Sequence, residues 1–96
     1  MALTSAQSQP GVIISVHQTT DVAMARRAVL NVASHAGFTA EDAGAAAIVV
    51  TEAASNLIKH GGGGDLIVRD NTSSDGPLLE ILAIDRGRGM TSISRC

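Results

Sequence analysis

An α/β two-layer sandwich, with two helices on one face of a mixed, mostly antiparallel sheet, is the fold class this sequence predicts. Three observations carry that expectation: a β-branched run at residues 12–16, two helix-length segments that each close on glycine, and two further apolar runs separated by a polar loop. The element order is β-α-α-β-β. With 96 residues and 45% hydrophobic content the chain can build one small core, chiefly from Ala, Val, Ile and Leu.

Residues 1–11 read as a flexible lead-in that has neither the basic start nor the apolar stretch of a secretion signal. Val12-Ile13-Ile14-Ser15-Val16 follows as the first strand, bounded by Pro10-Gly11 and by the polar His17-Gln18-Thr19-Thr20. Thr20 is suited to cap a helix whose first turn holds Asp21. Val22, Ala25, Val29, Val32, Ala33 and Ala36 then form one stripe while Arg26, Arg27, Asn31 and Ser34 look away. Gly37 suits the left-handed stop.

Thr39, followed three residues later by Asp42, resembles a capping box and opens a second helix that carries residues 43 to about 60. Its Ala-rich first half allows close packing on a sheet, and Gly61-Gly62-Gly63-Gly64 ends it. Residues 65–69 read as a strand, 70–76 as a polar connection, and 77–84 as the antiparallel neighbour. Little chain follows Ile84. The expectation is therefore that the strand at residues 78–84 is left as an uncovered edge, a site for self-association and a possible homodimer.

Composition excludes several roles. Phe38 is the sole aromatic and the net charge is -2, so neither stacking platforms nor a basic footprint for nucleic acid are present. The longest apolar run of note, residues 43–50, is far short of the ~20 residues that cross a bilayer, so no membrane partner is expected. Cys96 has no second cysteine to pair with, which suits a reducing cytoplasm. His17 and His35 show no ligand spacing, so surface or capping roles are expected of them.

Glu52 and Asn56 stand four residues apart in an otherwise oily segment, with Lys59 and His60 following. On a helix this step returns to one face, so the four polar groups share a stripe within about a quarter turn. A carboxylate can take a proton from a hydroxyl or water, an amide oxygen can ligate Mg²⁺, and an ammonium can neutralise phosphate oxygens. The solvated face of an amphipathic helix fits the same spacing and is commoner. Downstream, Asp85-Arg86-Gly87-Arg88-Gly89 lies at a strand end, where a carboxylate can accept a hydrogen bond from an exocyclic amine and glycines permit a sharp turn. An ordinary β-turn with a solvated Asp explains that pattern equally simply. Gly61 to Gly64 is no phosphate loop, because the run leaves a helix and no Gly-Lys-Ser/Thr follows.

Taken together and in this order, Val49-Val50-Thr51-Glu52-Ala53-Ala54-Ser55-Asn56-Leu57-Ile58-Lys59-His60-Gly61 and Leu82-Ala83-Ile84-Asp85-Arg86-Gly87-Arg88-Gly89-Met90 resemble the N box and first glycine box of the GHKL ATP-binding superfamily. Within it they are most similar to the anti-sigma-factor serine/threonine kinases of the RsbT and RsbW type, and to the module fused to SpoIIE-type phosphatases. The resemblance implies a Bergerat-type ATP-binding fold over residues 12–96, with ATP and Mg²⁺ as cofactors. It makes Glu52 the general base, Asn56 the Mg²⁺ ligand, Lys59 or His60 a phosphate-side contact and Asp85 the adenine anchor, with Gly87 and Gly89 hinging a lid. It further implies partner switching in a stress response, with a STAS-domain anti-sigma antagonist, a sigma factor or a phosphatase as partner. Glu at position 52 tilts the resemblance away from sensor histidine kinases, which usually carry an amide there. The family pattern continues into a lid and a second glycine-rich box that these residues do not contain, so the expectation is a domain truncated after the first glycine box, with poor ATP affinity. A non-catalytic binding module of this fold and a GHKL ATPase are the alternative functions.

Overall fold

In a computed structural model residues 11–85 and 89–95 are described, and they form one two-layer unit. Strand β1 (Gly11–Val16) leads into helix α1 (Thr19–Ala36) and helix α2 (Ala40–Gly61), followed by β2 (Gly64–Asp70), β3 (Leu79–Asp85) and β4 (Gly89–Arg95). The four strands form one sheet in the order β1-β2-β3-β4, every neighbouring pair antiparallel. Both helices lie on one face: α1 over β1 and β2, α2 over β2 and β3. The two-layer expectation holds, and the hairpin order makes each described pairing antiparallel.

The fourth strand corrects the expectation of an open edge at residues 78–84. β3 is an interior strand, paired with β2 on one side and with β4 on the other. The physical reason is that the residues from Gly89 onward are enough for a hairpin partner, which satisfies the outward backbone groups of β3. Among the described residues the outer strands are β1 and β4.

Helix starts differ from the sequence reading in a way the hydrogen bonds explain. α1 begins at Thr19 with Gln18 as its N-cap, two residues earlier than a Thr20 cap would allow. Asp21 decides this: its carboxylate accepts from the backbone N–H groups of His17 at 2.9 Å and Gln18 at 3.2 Å, satisfying donors that the helix leaves open. Those same bonds hold the Asp21 carboxyl below its ordinary pKa, since they favour the charged form. α2 starts where Thr39 predicts, with its hydroxyl accepting from the Asp42 N–H at 3.1 Å. Gly37 and Gly62 close the two helices in the left-handed conformation.

The core is built from small residues because the layers are close. Ala25, Val29 and Ala33 of α1 and Ala43, Ala46, Ala47, Val50, Ala54 and Leu57 of α2 are buried against Val16, Leu66, Val68, Leu79, Ile81 and Ala83. The apolar stripe read from α1 is therefore the buried one. On β3, Leu79, Ile81, Ala83 and Asp85 alternate onto the helix-covered face, as a strand's period of two requires. On the opposite face Arg69 and Glu80 form a cross-strand ion pair at 2.9 Å.

Candidate functional site

The stripe proposed from spacing exists. Glu52, Asn56, Lys59 and His60 are all exposed on the C-terminal half of α2, opposite a buried row of Val50, Ala54 and Leu57. Their side chains make no hydrogen bond or ion pair with other described residues, which leaves their donors and acceptors available to a ligand or to water. Thr51 turns inward and ties its hydroxyl to the Ala47 carbonyl at 2.8 Å, so it belongs to the helix and not to the stripe.

Asp85 is placed differently from the other four. It ends β3 on the helix-covered face and is 4% exposed, a buried carboxylate at the mouth of a strand. Its opposite number across β2 is Gly64, the last residue of the glycine run. A Cβ at Gly64 would collide with the Ile84 carbonyl oxygen and sit 3.0 Å from a Leu57 methyl carbon. The end of the glycine run, the end of β3 and the end of α2 thus converge, and Asn56 is the neighbour of the leucine that makes the contact. An ordinary solvated turn Asp does not fit a residue this buried.

Glu52 also borders the other helix. It lines a groove between the helices of about 410 Å³ with Arg26, Leu30, Ala47, Ile48 and Thr51, and that groove includes neither Asn56 nor Asp85. Glu52 and Asn56 stand one turn apart on the same exposed stripe of α2, opposite the buried row. Gly89 opens β4 directly opposite Asp85, and Gly87 lies outside the described residues. A set of three or more His, Cys, Asp or Glu side chains able to hold a metal ion is not found among the described residues, so any cation would depend on Asn56 and on oxygens brought by a ligand.

The model of the histidine kinase-like ATPase domain matches residues 16–95. The chain belongs to that family. The match runs through the stripe on α2 and the buried Asp85, so the GHKL resemblance read from the two short motifs extends to nearly the whole folded unit. It is a match to the family and not to one branch of it, and family membership makes ATP the expected nucleotide. Comparison with curated proteins gave no significant match. No helix among the described residues of this ATPase-family domain is long and apolar enough to cross a membrane.

The residues present suit that nucleotide. A buried acceptor at Asp85 matches the need to recognise an amine donor, and the exposed amide of Asn56 offers an oxygen of the kind Mg²⁺ takes. Sequence reasoning missed two contributors. Gly64 reads in the sequence only as part of a helix stop, yet four consecutive glycines are more than one left-handed cap needs, and that surplus is the available signal. Arg26 reads in the sequence as a residue turned away from the apolar stripe of its helix, and nothing in spacing shows that it shares a groove with Glu52.

Proposed function

We propose that this domain is an ATP-dependent serine/threonine protein kinase of the anti-sigma regulatory type. It acts in the cytoplasm by partner switching on a STAS-domain antagonist or a phosphatase partner, and so governs the release of a sigma factor. The observation that carries the reading is an exposed carboxylate at Glu52, one turn before Asn56, on the helix whose far end meets the buried Asp85. An ionised Glu can remove a proton from an incoming hydroxyl, which an amide at the same place cannot do.

In this reading Asp85 accepts a hydrogen bond from the adenine amino group, and its burial excludes water that would compete for that donor. Asn56 offers its amide oxygen to Mg²⁺, while Lys59 or His60 at the last turn of α2 balances phosphate charge. Bound ATP supplies the phosphoryl group that is transferred. Glu52 takes the proton from a Ser or Thr hydroxyl of the partner, and its position in an open groove beside Arg26 gives a protein substrate access.

The apolar side chains in that groove favour a second reading, a partner-binding module without catalysis. Leu30 is 38% and Ile48 63% exposed, surface suited to protein contact with or without chemistry. A phosphotransfer assay with labelled ATP, with and without a STAS-domain protein, separates the readings. A kinase labels the partner, a GHKL ATPase releases phosphate without one, and a binding module does neither.

A further inference from the structure

A cavity of about 630 Å³ lies at the end of α2 remote from the polar stripe. It is enclosed by the α1–α2 corner at residues 37–39, by one flank of α2 and by Pro77 of the β2–β3 connection, and takes in none of Glu52, Asn56 or Asp85. Asp42 on its wall and Asn56 on the stripe are ~21 Å apart along α2, at 1.5 Å per residue. The cavity is therefore separate from the nucleotide end.

Its walls are held in place by hydrogen bonds. At the corner the Gly37 N–H donates to the Ser34 carbonyl at 3.2 Å and the Phe38 N–H to that of Ala33 at 3.0 Å. The Thr39 hydroxyl oxygen accepts from the Asp42 N–H at 3.1 Å. On the other side, the loop that carries Pro77 is tied by the Asn71 N–H to the Leu78 carbonyl at 2.8 Å and by the Leu78 N–H to the Thr72 hydroxyl at 3.3 Å. The Pro77 Cγ lies 3.8 Å from where a Gly37 Cβ would stand, so loop and corner meet at that point. Walls formed in advance lower the ordering cost of binding.

The lining is apolar apart from one available group. Phe38, the sole aromatic of the chain, and Val49 are half-buried and packed against the core, with Ala45 and Pro77 exposed beside them. The carboxylate of Asp42 makes no hydrogen bond or ion pair with the described residues, and no Lys, Arg or His lines the cavity. Charge therefore selects the ligand. An anion would meet Asp42 with no basic group to offset the repulsion, whereas a protonated amine pairs with it, and Phe38 supplies an aromatic wall that also attracts cations. The carboxylates of Glu41 and Asp42 offset the positive end of α2, which would otherwise oppose a cation.

We propose that this cavity binds a small organic cation, a protonated amine carried on an apolar body about the size of an aromatic ring. The amine sits against Asp42 and the body against Phe38, Val49 and Pro77. The volume is in the range that small molecules fill, ~300–1,000 Å³. The inference does not depend on the nucleotide chemistry.

The test uses 2-phenylethylammonium as the probe, with 2-phenylethanol and 3-phenylpropanoate as its neutral and anionic counterparts. Each is titrated to ~10 mM into the nitrogen-15-labelled full chain and followed through amide chemical shifts. The expected result is saturable binding of the cation in the millimolar range, with shifts centred on Phe38, Thr39, Asp42 and Val49, about threefold or more weaker binding of the alcohol, and none of the carboxylate. Asp42→Asn is expected to reduce the cation to the affinity of the alcohol while leaving the alcohol unchanged. Glu41→Gln loses the same charge in the same turn but outside the cavity, and leaves both unaltered. Should circular dichroism show that Asp42→Asn disturbs the helix, Ala45→Phe decides, because a ring at that exposed lining position fills the cavity and is expected to abolish binding of cation and alcohol alike. Cation shifts that do not saturate or that centre elsewhere, an alcohol or carboxylate that binds as tightly as the cation, a Glu41→Gln loss equal to that of Asp42→Asn, or an Ala45→Phe chain that binds like the wild type overturns the proposal.

Discussion

Gly64 and Asp85 lie directly opposite each other across the β2–β3 pair, at the open end of the hairpin. The absence of a side chain at Gly64 lets Leu57 of α2 and the Ile84 carbonyl close in on the backbone at the Gly64 end of the pair. The helix that carries the polar stripe is thereby fixed to the strand that carries the buried acid.

Gly64→Ala is expected to destabilise the fold by about 1–3 kcal/mol or more, since the added methyl meets backbone that cannot rotate away. Gly44→Ala is the contrasting case. It lies within α2 with nothing near its Cβ position, so it should stabilise by ~0.5–1 kcal/mol. Urea unfolding of the two variants side by side measures both, and equal effects of one sign would contradict the close contact.

Asp85→Asn should weaken ATP binding by ~1.5–3 kcal/mol, the worth of a hydrogen bond to a charged acceptor, with the far-ultraviolet spectrum unchanged. Isothermal titration with ATP and with GTP checks it. GTP presents a carbonyl where ATP presents the amine, so the loss should appear for ATP and not as a uniform drop for both.

Glu52→Gln keeps size and exposure but removes the base. Phosphotransfer to a protein partner is expected to fall by roughly 10²–10⁴-fold while nucleotide binding is retained. Single-turnover transfer and titration of ATP, run on the same preparation, separate the two quantities. A parallel loss of binding would move Glu52 from catalysis to nucleotide recognition.

The start of α1 should be acid-sensitive through Asp21. Backbone N–H donors from His17 and Gln18 lower its pKa in the folded state. A depressed carboxyl pKa contributes stability above the unfolded value of about 4, and that contribution is lost as pH falls below it through the folded pKa. Asp21→Ala should therefore lower stability at neutral pH and flatten the acid limb of the stability curve. Thermal unfolding from neutral pH down to the acid range reads this directly, and an unchanged acid limb would remove Asp21 from the account.

Much of the fold was legible in residue order because it is local. The β-branched run of β1, the period of α1, the Thr39 cap and the glycine stops act over a few residues, and each produced the element it predicts. The first cap was misplaced because Asp21 reaches back to two donors at once, and a Thr20 cap was the simpler local reading. The fourth strand was missed because its alternation is weak and its stability comes from the ladder with β3, a long-range pairing that composition does not show.

The sequence by itself determined the layer architecture, the polar stripe on α2 and, through two short motifs read together, the ATPase family. Only the tertiary structure decided that Asp85 is buried while Glu52 opens onto a groove with Arg26, that Gly64 is a packing position, and that β3 is an interior strand paired on both sides. Periodicity fixes which residues share a face of one element. Burial, close approach and edge exposure depend on what a second element places against that face, and the pairing of strands decides it.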